Sequence, residues 1–85
     1  MNQIGTILER IESAVREIVA MHLNIGAGQV DGKSRLVEDL GADSLDMVEM
    51  ILDAEARLGL RILDAEADSL TTVNDFVHYL GRARG

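Results

Sequence analysis

Glu38-Asp39-Leu40-Gly41-Ala42-Asp43-Ser44-Leu45-Asp46 is the stretch in which a long connection turns into a helix. Gly41 can take a positive φ that a side chain would strain, so it can reverse the chain just before the helix begins. Asp43 or Ser44 then stands where an N-cap is wanted, ahead of apolar residues at helical spacing. The helix is predicted from there to Leu58, with Gly59 as its stop. Leu45, Val48, Ile51, Leu52, Glu55 and Leu58 form its stripe at spacings of three and four residues, and Met47 and Met50 fall to the sides.

Upstream, Ile4, Ile7, Leu8, Ile11, Val15, Ile18, Val19 and His22 or Leu23 keep to one helical face while Glu9, Arg10, Glu12, Arg16 and Glu17 take the other. This predicts a long amphipathic helix over about residues 4 to 22, broken by Gly26, Gly28 and Gly32. Residues 24 to 43 then form a long connection. A connection of this length inside a small domain needs tying down, and Ile25, Val30, Leu36, Val37 and Leu40 are the residues expected to pin it, with Asp31 starting a short turn.

Downstream, residues 60–63 read as extended or irregular and residues 64–68 leave room for one short helix. Thr71 or Thr72 caps a final helix carrying Val73, Phe76, Val77 and Leu80, ended by Gly81, with a frayed tail over residues 82–85. The fold class is therefore all-α, a small bundle of three main helices plus one short helix, with a long loop between helices 1 and 2. A single domain over 1–85 is expected.

Composition limits what such a bundle can do. The chain has 85 residues, 47% of them apolar and 27% charged, enough for one modest core. Only Phe76 and Tyr79 are aromatic, so the core is aliphatic and able to rearrange around a flexible guest. Eleven carboxylates between residues 31 and 68 face only Lys33, Arg35, Arg57 and Arg61, so the net charge of −7 resides there and the flanks cancel. Such a middle repels nucleic acid and anionic lipid and steers basic protein surfaces toward it. With no cysteine, any thiol chemistry must come from an added group. No leader-like segment and no run of 18 apolar residues is present, so a cytoplasmic monomer with no membrane insertion is expected. His22 and His78 have no ligand-spaced companions and no EF-hand loop occurs, so no metal site is expected.

One hydroxyl stands out against this background. Ser44 at a helix N-terminus meets unpaired N–H groups and a partial positive charge, where an exposed phosphate gains about 0.3 to 1 kcal/mol. Asp43 and Asp46 oppose that gain, which points their value toward recognition by a basic enzyme or loose cation binding with Asp39. A Ser or Asp ahead of an apolar helical run is also an ordinary N-cap, and both readings of Ser44 are open on the residues alone.

The string Glu38 to Asp46, set between a long helix with its loop and an amphipathic helix, resembles the acyl carrier protein signature. The likeness runs on through Leu36, Leu58-Gly59, Ile62, Thr71-Thr72-Val73 and Tyr79-Leu80, covering Val30 to Leu80. It implies that Ser44 is esterified to 4'-phosphopantetheine donated by coenzyme A, through a phosphopantetheinyl transferase, and that the arm carries acyl groups as thioesters for fatty acid or related lipid biosynthesis. It also implies a partner-binding helix whose apolar part is Leu45, Val48 and Leu52 and whose acidic rim is Asp43, Asp46, Glu49, Asp53 and Glu55. Acyl-loading, synthase and acyltransferase enzymes with basic docking surfaces would be the partners, and the carrier itself would catalyse nothing.

Departures from that pattern cluster at the end of the same helix. Ala54, Ala56 and Arg57 stand where glutamates or a larger aliphatic are usual, and Arg61 and Leu63 replace an acid and a proline. They favour a dedicated pathway over housekeeping synthesis. Ala54 either widens an acyl pocket or is backed by Met50 or Phe76. Two rivals follow: a polyketide or aminoacyl/peptidyl carrier, and a helical interaction module that is never modified, with Ser44 as a cap.

Overall fold

The computed structural model describes the backbone of residues 3–84 and the side chains of all of these except 3–6, 64, 65 and 84. Four α-helices follow in order, α1 Gln3–Leu23, α2 Ser44–Leu58, α3 Asp64–Ala67 and α4 Val73–Arg84, with a 3-10 turn at Ala27–Gln29. The all-α bundle of three main helices and one short one is the architecture expected, and α1 packs against both α2 and α4.

The helix ends follow from local chemistry. Asn24 takes the left-handed conformation (φ 55°) and the Ile25 N–H reaches back to the Ala20 carbonyl, closing α1 two residues before the first of the glycines expected to break it. Gly59 does the same for α2 at φ 64°. At the start of α4, Thr72 Oγ1 accepts from the Asp75 N–H at 3.0 Å while Asp75 Oδ2 accepts from the N–H groups of Thr72 and Thr71. Those donated bonds, Thr72's above all, hold the Asp75 carboxyl below its ordinary pKa against the opposing effect of burial.

Gly81 does not end α4. The helix continues through it to Arg84, and residues 82–84 of the expected frayed tail are helical, while Gly85 lies outside the described residues. The glycine serves packing instead: a Cβ there would sit 3.3 Å from Leu8 Cδ2 on α1. Ile7 and Leu8 are themselves part-exposed at this end, and the side chain of Ile4, expected on the same face, lies outside the described residues.

Ile11, Val15, Ile18 and Val19 of α1 meet Val73, Phe76, Val77 and Leu80 of α4 in one core. From α2 the contribution is Met50 and Ala54, both fully buried, with Met47, Ile51 and Leu58 partly so. This reverses the expected placing of the methionines at the sides. Helix α2 is apolar on two sides at helical spacing, and the side that docks is the one carrying Met50 and Ala54. Leu45, Val48 and Leu52 are left 63, 52 and 57% exposed.

The long connection is held by its backbone as well as its side chains. Val30 and Leu36 are buried and Ile25 and Leu40 partly so, as expected, but Val37 is half-exposed and Ala42 takes a buried place instead. The amides of Val73 and Asn74, which the first turn of α4 cannot satisfy, donate to the carbonyls of Ser34 and Gly32, and the Leu36 N–H donates to the Thr71 carbonyl. Asp31 starts the expected turn, its Oδ1 accepting from the Lys33 N–H.

Candidate functional site at the start of helix α2

Gly41 reverses the chain at φ 77°, and the turn is fixed by the Gly41 N–H on the Val37 carbonyl and the Ala42 N–H on the Leu36 carbonyl. Asp43 is the N-cap of α2: its Oδ1 accepts from the Asp46 N–H at 2.7 Å, and Asp46 Oδ2 accepts from the Asp43 N–H at 3.1 Å. The two carboxylates so close a reciprocal box around the residue between them. Ser44 is the first helical residue, exposed, and its hydroxyl is not needed for capping.

Beside Ser44 opens a cleft of ≈ 880 Å³ between α2 and residues 60–70. Ala42, Met47, Ile51, Ile62, Ala67 and Leu70 give it an apolar floor, Val37, Val48 and Leu52 its rims, and Asp43, Glu55, Arg61 and Asp68 its charged edges. Ser44 stands at one end and Glu55 eleven residues along the helix, about 16 Å away at the rise of an α-helix. An exposed hydroxyl at a helix N-terminus, opening on a long apolar groove, fits a phosphodiester-linked flexible chain: the amides of Ser44 and Leu45 lie at the open end of the helix and the groove can shelter methylenes.

The family model described as phosphopantetheine attachment site matches residues 13–80. The chain belongs to this family. Two relatives are named acyl carrier protein. One, from Thermotoga maritima, is 38% identical over 77 residues, covering 91% of this chain and 95% of the relative. The other, from Wolinella succinogenes, is 42% identical over 66 residues, covering 78% and 87%. Members of the acyl carrier family are carriers, and their prosthetic group is a covalent 4'-phosphopantetheine. When attached, the group supplies the thiol that this cysteine-free chain lacks.

The acidic residues expected around the acyl carrier site fall into two sets. Asp43 and Asp46 flank Ser44, and Glu49 is exposed one turn further on. Asp53 lies instead on the flank toward α1. His22 Nε2 donates to its Oδ2 and Arg57 Nε to its Oδ1, each at 2.9 Å, leaving the carboxylate 22% exposed. The His22 bond, aided by Arg57 and opposed by burial, holds the Asp53 carboxyl below its ordinary pKa. Arg57 also lies 3.7 Å from Glu17 and donates toward Met21 Sδ. Glu55 Oε2 accepts from the Ile62 N–H at 2.7 Å and so ties the segment after α2 back onto the helix.

The sequence placed His22 at the end of α1, where it is, but not its partner across the bundle. The i,i+4 spacing of Asp53 and Arg57 was the available signal for that knot. Asp39, paired in expectation with Asp43 and Asp46 as a loose cation site, is turned to Arg35: its oxygens accept from the Arg35 N–H, Nε and Nη2. Arg35's bonds hold its pKa down. Among the described residues no group of three or more His, Cys, Asp or Glu could hold a metal ion, and no helix is long and apolar enough to cross a membrane.

Proposed function

We propose that Ser44 is the residue that takes 4'-phosphopantetheine from coenzyme A, and that residues 1–85 act as one acyl carrier domain whose loaded chain rests in the cleft beside α2. What carries the reading is the division of labour at the start of α2: the Asp43–Asp46 box does the capping, which leaves the exposed Ser44 hydroxyl free at the mouth of an apolar cleft. The cargo is an acyl group for fatty acid or related lipid synthesis, handed between enzymes in the cytoplasm, and the domain performs no catalysis of its own.

Leu45, Val48 and Leu52, bordered by Asp43, Asp46 and Glu49, form the surface on which the transferase and the acyl-handling enzymes dock. An apolar strip inside a charged border suits brief, steered encounters with several partners. Asp53 and Glu55 contribute to the potential around that strip while their hydrogen bonds run inward.

The test is direct. Incubation with coenzyme A and a broad-specificity phosphopantetheinyl transferase is expected to add the mass of one phosphopantetheine, with the modified peptide containing Ser44. A chain that gains no mass, or gains it equally as Ser44→Ala, removes the reading.

A further inference from the structure

Met21, near the end of α1, is 66% exposed, whereas Met50 is sealed in the core and Met47 is partly buried in the floor of the cleft. Its sulfur does not face solvent alone. Arg57 reaches across from α2 with its three nitrogens turned to three groups: Nε donates to Asp53 Oδ1 at 2.9 Å, Nη1 lies 3.7 Å from Glu17 Oε2, and Nη2 donates to Met21 Sδ at 3.6 Å. Glu17 and Met21 stand four residues apart on α1, so the guanidinium lies across two successive turns of that helix. A thioether is a weak acceptor. Nη2 therefore points a charged donor at the poorest acceptor of the three.

We propose that Met21 is a reversible oxidation site for peroxides and that Arg57 captures the product, so that the sulfoxide tightens the α1–α2 seam, where methionine oxidation ordinarily loosens a fold. In the step, a sulfur lone pair forms an S–O bond to one peroxide oxygen, the O–O bond breaks, and the departing hydroxide takes the proton of the transferred oxygen and leaves as water. The sulfur loses two electrons and the peroxide gains them. The new oxygen carries partial negative charge, and rotation about the unbranched Met21 side chain turns it to Nη2. A weak contact to sulfur becomes a charge-assisted hydrogen bond, while Nε keeps Asp53 and Nη1 keeps Glu17. Met47 and Met50 stand the other way: their sulfoxides would place the same oxygen in the cleft floor or in the core, where a polar group is costly.

The arm on Ser44 plays no part in this, so the cysteine-free full chain serves for the test. Limited hydrogen peroxide, followed by tandem mass mapping, is expected to oxidise Met21 at least about fivefold faster than Met47, and Met50 more slowly still. The form with one oxygen on Met21, isolated by chromatography, should melt about 2 to 4 °C above the untreated chain, and methionine sulfoxide reductases should return it to the starting value. In Arg57→Ala the same oxidation should give no rise. Met21→Gln, which sets an amide oxygen near the place of the sulfoxide oxygen, reads the same contact without an oxidant. It should melt above Met21→Leu when Arg57 is present and no higher than it in the Arg57→Ala background. Preferential oxidation of Met47 or Met50 overturns the inference, as does a Met21 sulfoxide that melts at or below the untreated chain. A rise that persists in full in Arg57→Ala also overturns it, because another group would then hold the oxygen.

Discussion

His22 at the end of α1 donates a hydrogen bond to Asp53 in the middle of α2, and Arg57 grips the other oxygen of the same carboxylate. The contact joins the two longest helices across a part-buried seam, and it ties an acid of α2 into the bundle's own bonding.

This knot should make stability depend on acid. Asp53 has a folded pKa below its unfolded value of about 3.9. Its contribution is therefore present in full above that value and is lost as pH falls through the lower folded one. Asp53→Asn is expected to lower the stability at pH 7 by about 1 kcal/mol, allowing for partial exposure. Urea unfolding at pH 7, 5, 4 and 3 should show the gap between the two proteins closing only below about pH 4. A gap constant down to pH 3 would show that the ionised carboxylate is not what stabilises the seam.

The two apolar sides of α2 can be told apart by truncation. Met50 has no exposed surface, so Met50→Ala should cost about 2 to 5 kcal/mol through lost burial and the cavity left behind. Leu45→Ala removes a mostly exposed side chain and should cost about 0.5 kcal/mol or less. Comparable losses in chemical denaturation would mean that both sides are packed.

That pair also marks where the sequence was legible. The start and stop of α2 could be read because Gly41, Asp43 and Gly59 act locally, through φ and capping. The side of α2 that docks could not, because Leu45-Val48-Leu52 and Met47-Met50-Ala54 are both helical stripes and only α1 decides between them. The same limit hid the Ser34 and Gly32 carbonyls beneath α4 and the His22–Asp53 contact, each joining residues at least thirty positions apart. Gly81 misled for a related reason: it looks like a local stop and is a tertiary contact. At the site, Ser44 and its flanking acids were readable as a string, whereas the inward bonds of Asp53 and Glu55 needed the fold.

Gly81 offers a prediction whose sign is not obvious. Alanine inside a helix is favoured over glycine by about 0.8 to 1.0 kcal/mol. The added Cβ would press on Leu8 Cδ2, but Leu8 is part-exposed and can yield by a few tenths of an ångström. Gly81→Ala should therefore raise the melting temperature by a few degrees. A fall would mean that α1 and α4 are locked too tightly there for Leu8 to move.

Loading the arm should stabilise the fold in proportion to cargo length. Each methylene moved from water into the cleft is worth at most about 0.8 kcal/mol, less the cost of rearranging its lining. Octanoyl-loaded protein is expected to melt above the unloaded holo form, and hexanoyl-loaded protein between them. Identical melting temperatures would place the acyl chain outside the cleft.

Asp43 and Ser44 should separate cleanly into a structural and a chemical role. Asp43→Ala removes the acceptor for the Asp46 N–H, and loss of an N-cap costs about 0.5 to 2 kcal/mol. Ser44→Ala removes an exposed hydroxyl that caps nothing, and alanine is the better helix former at that position, so stability should change by about 0.5 kcal/mol or less. With coenzyme A and a transferase the order inverts: Ser44→Ala gains no mass at all, while Asp43→Ala is still modified, more slowly because an acid that steers a basic enzyme is gone. The two variants are thus read by two instruments, denaturation and mass. A Ser44→Ala chain as unstable as Asp43→Ala would return the serine to the role of a cap.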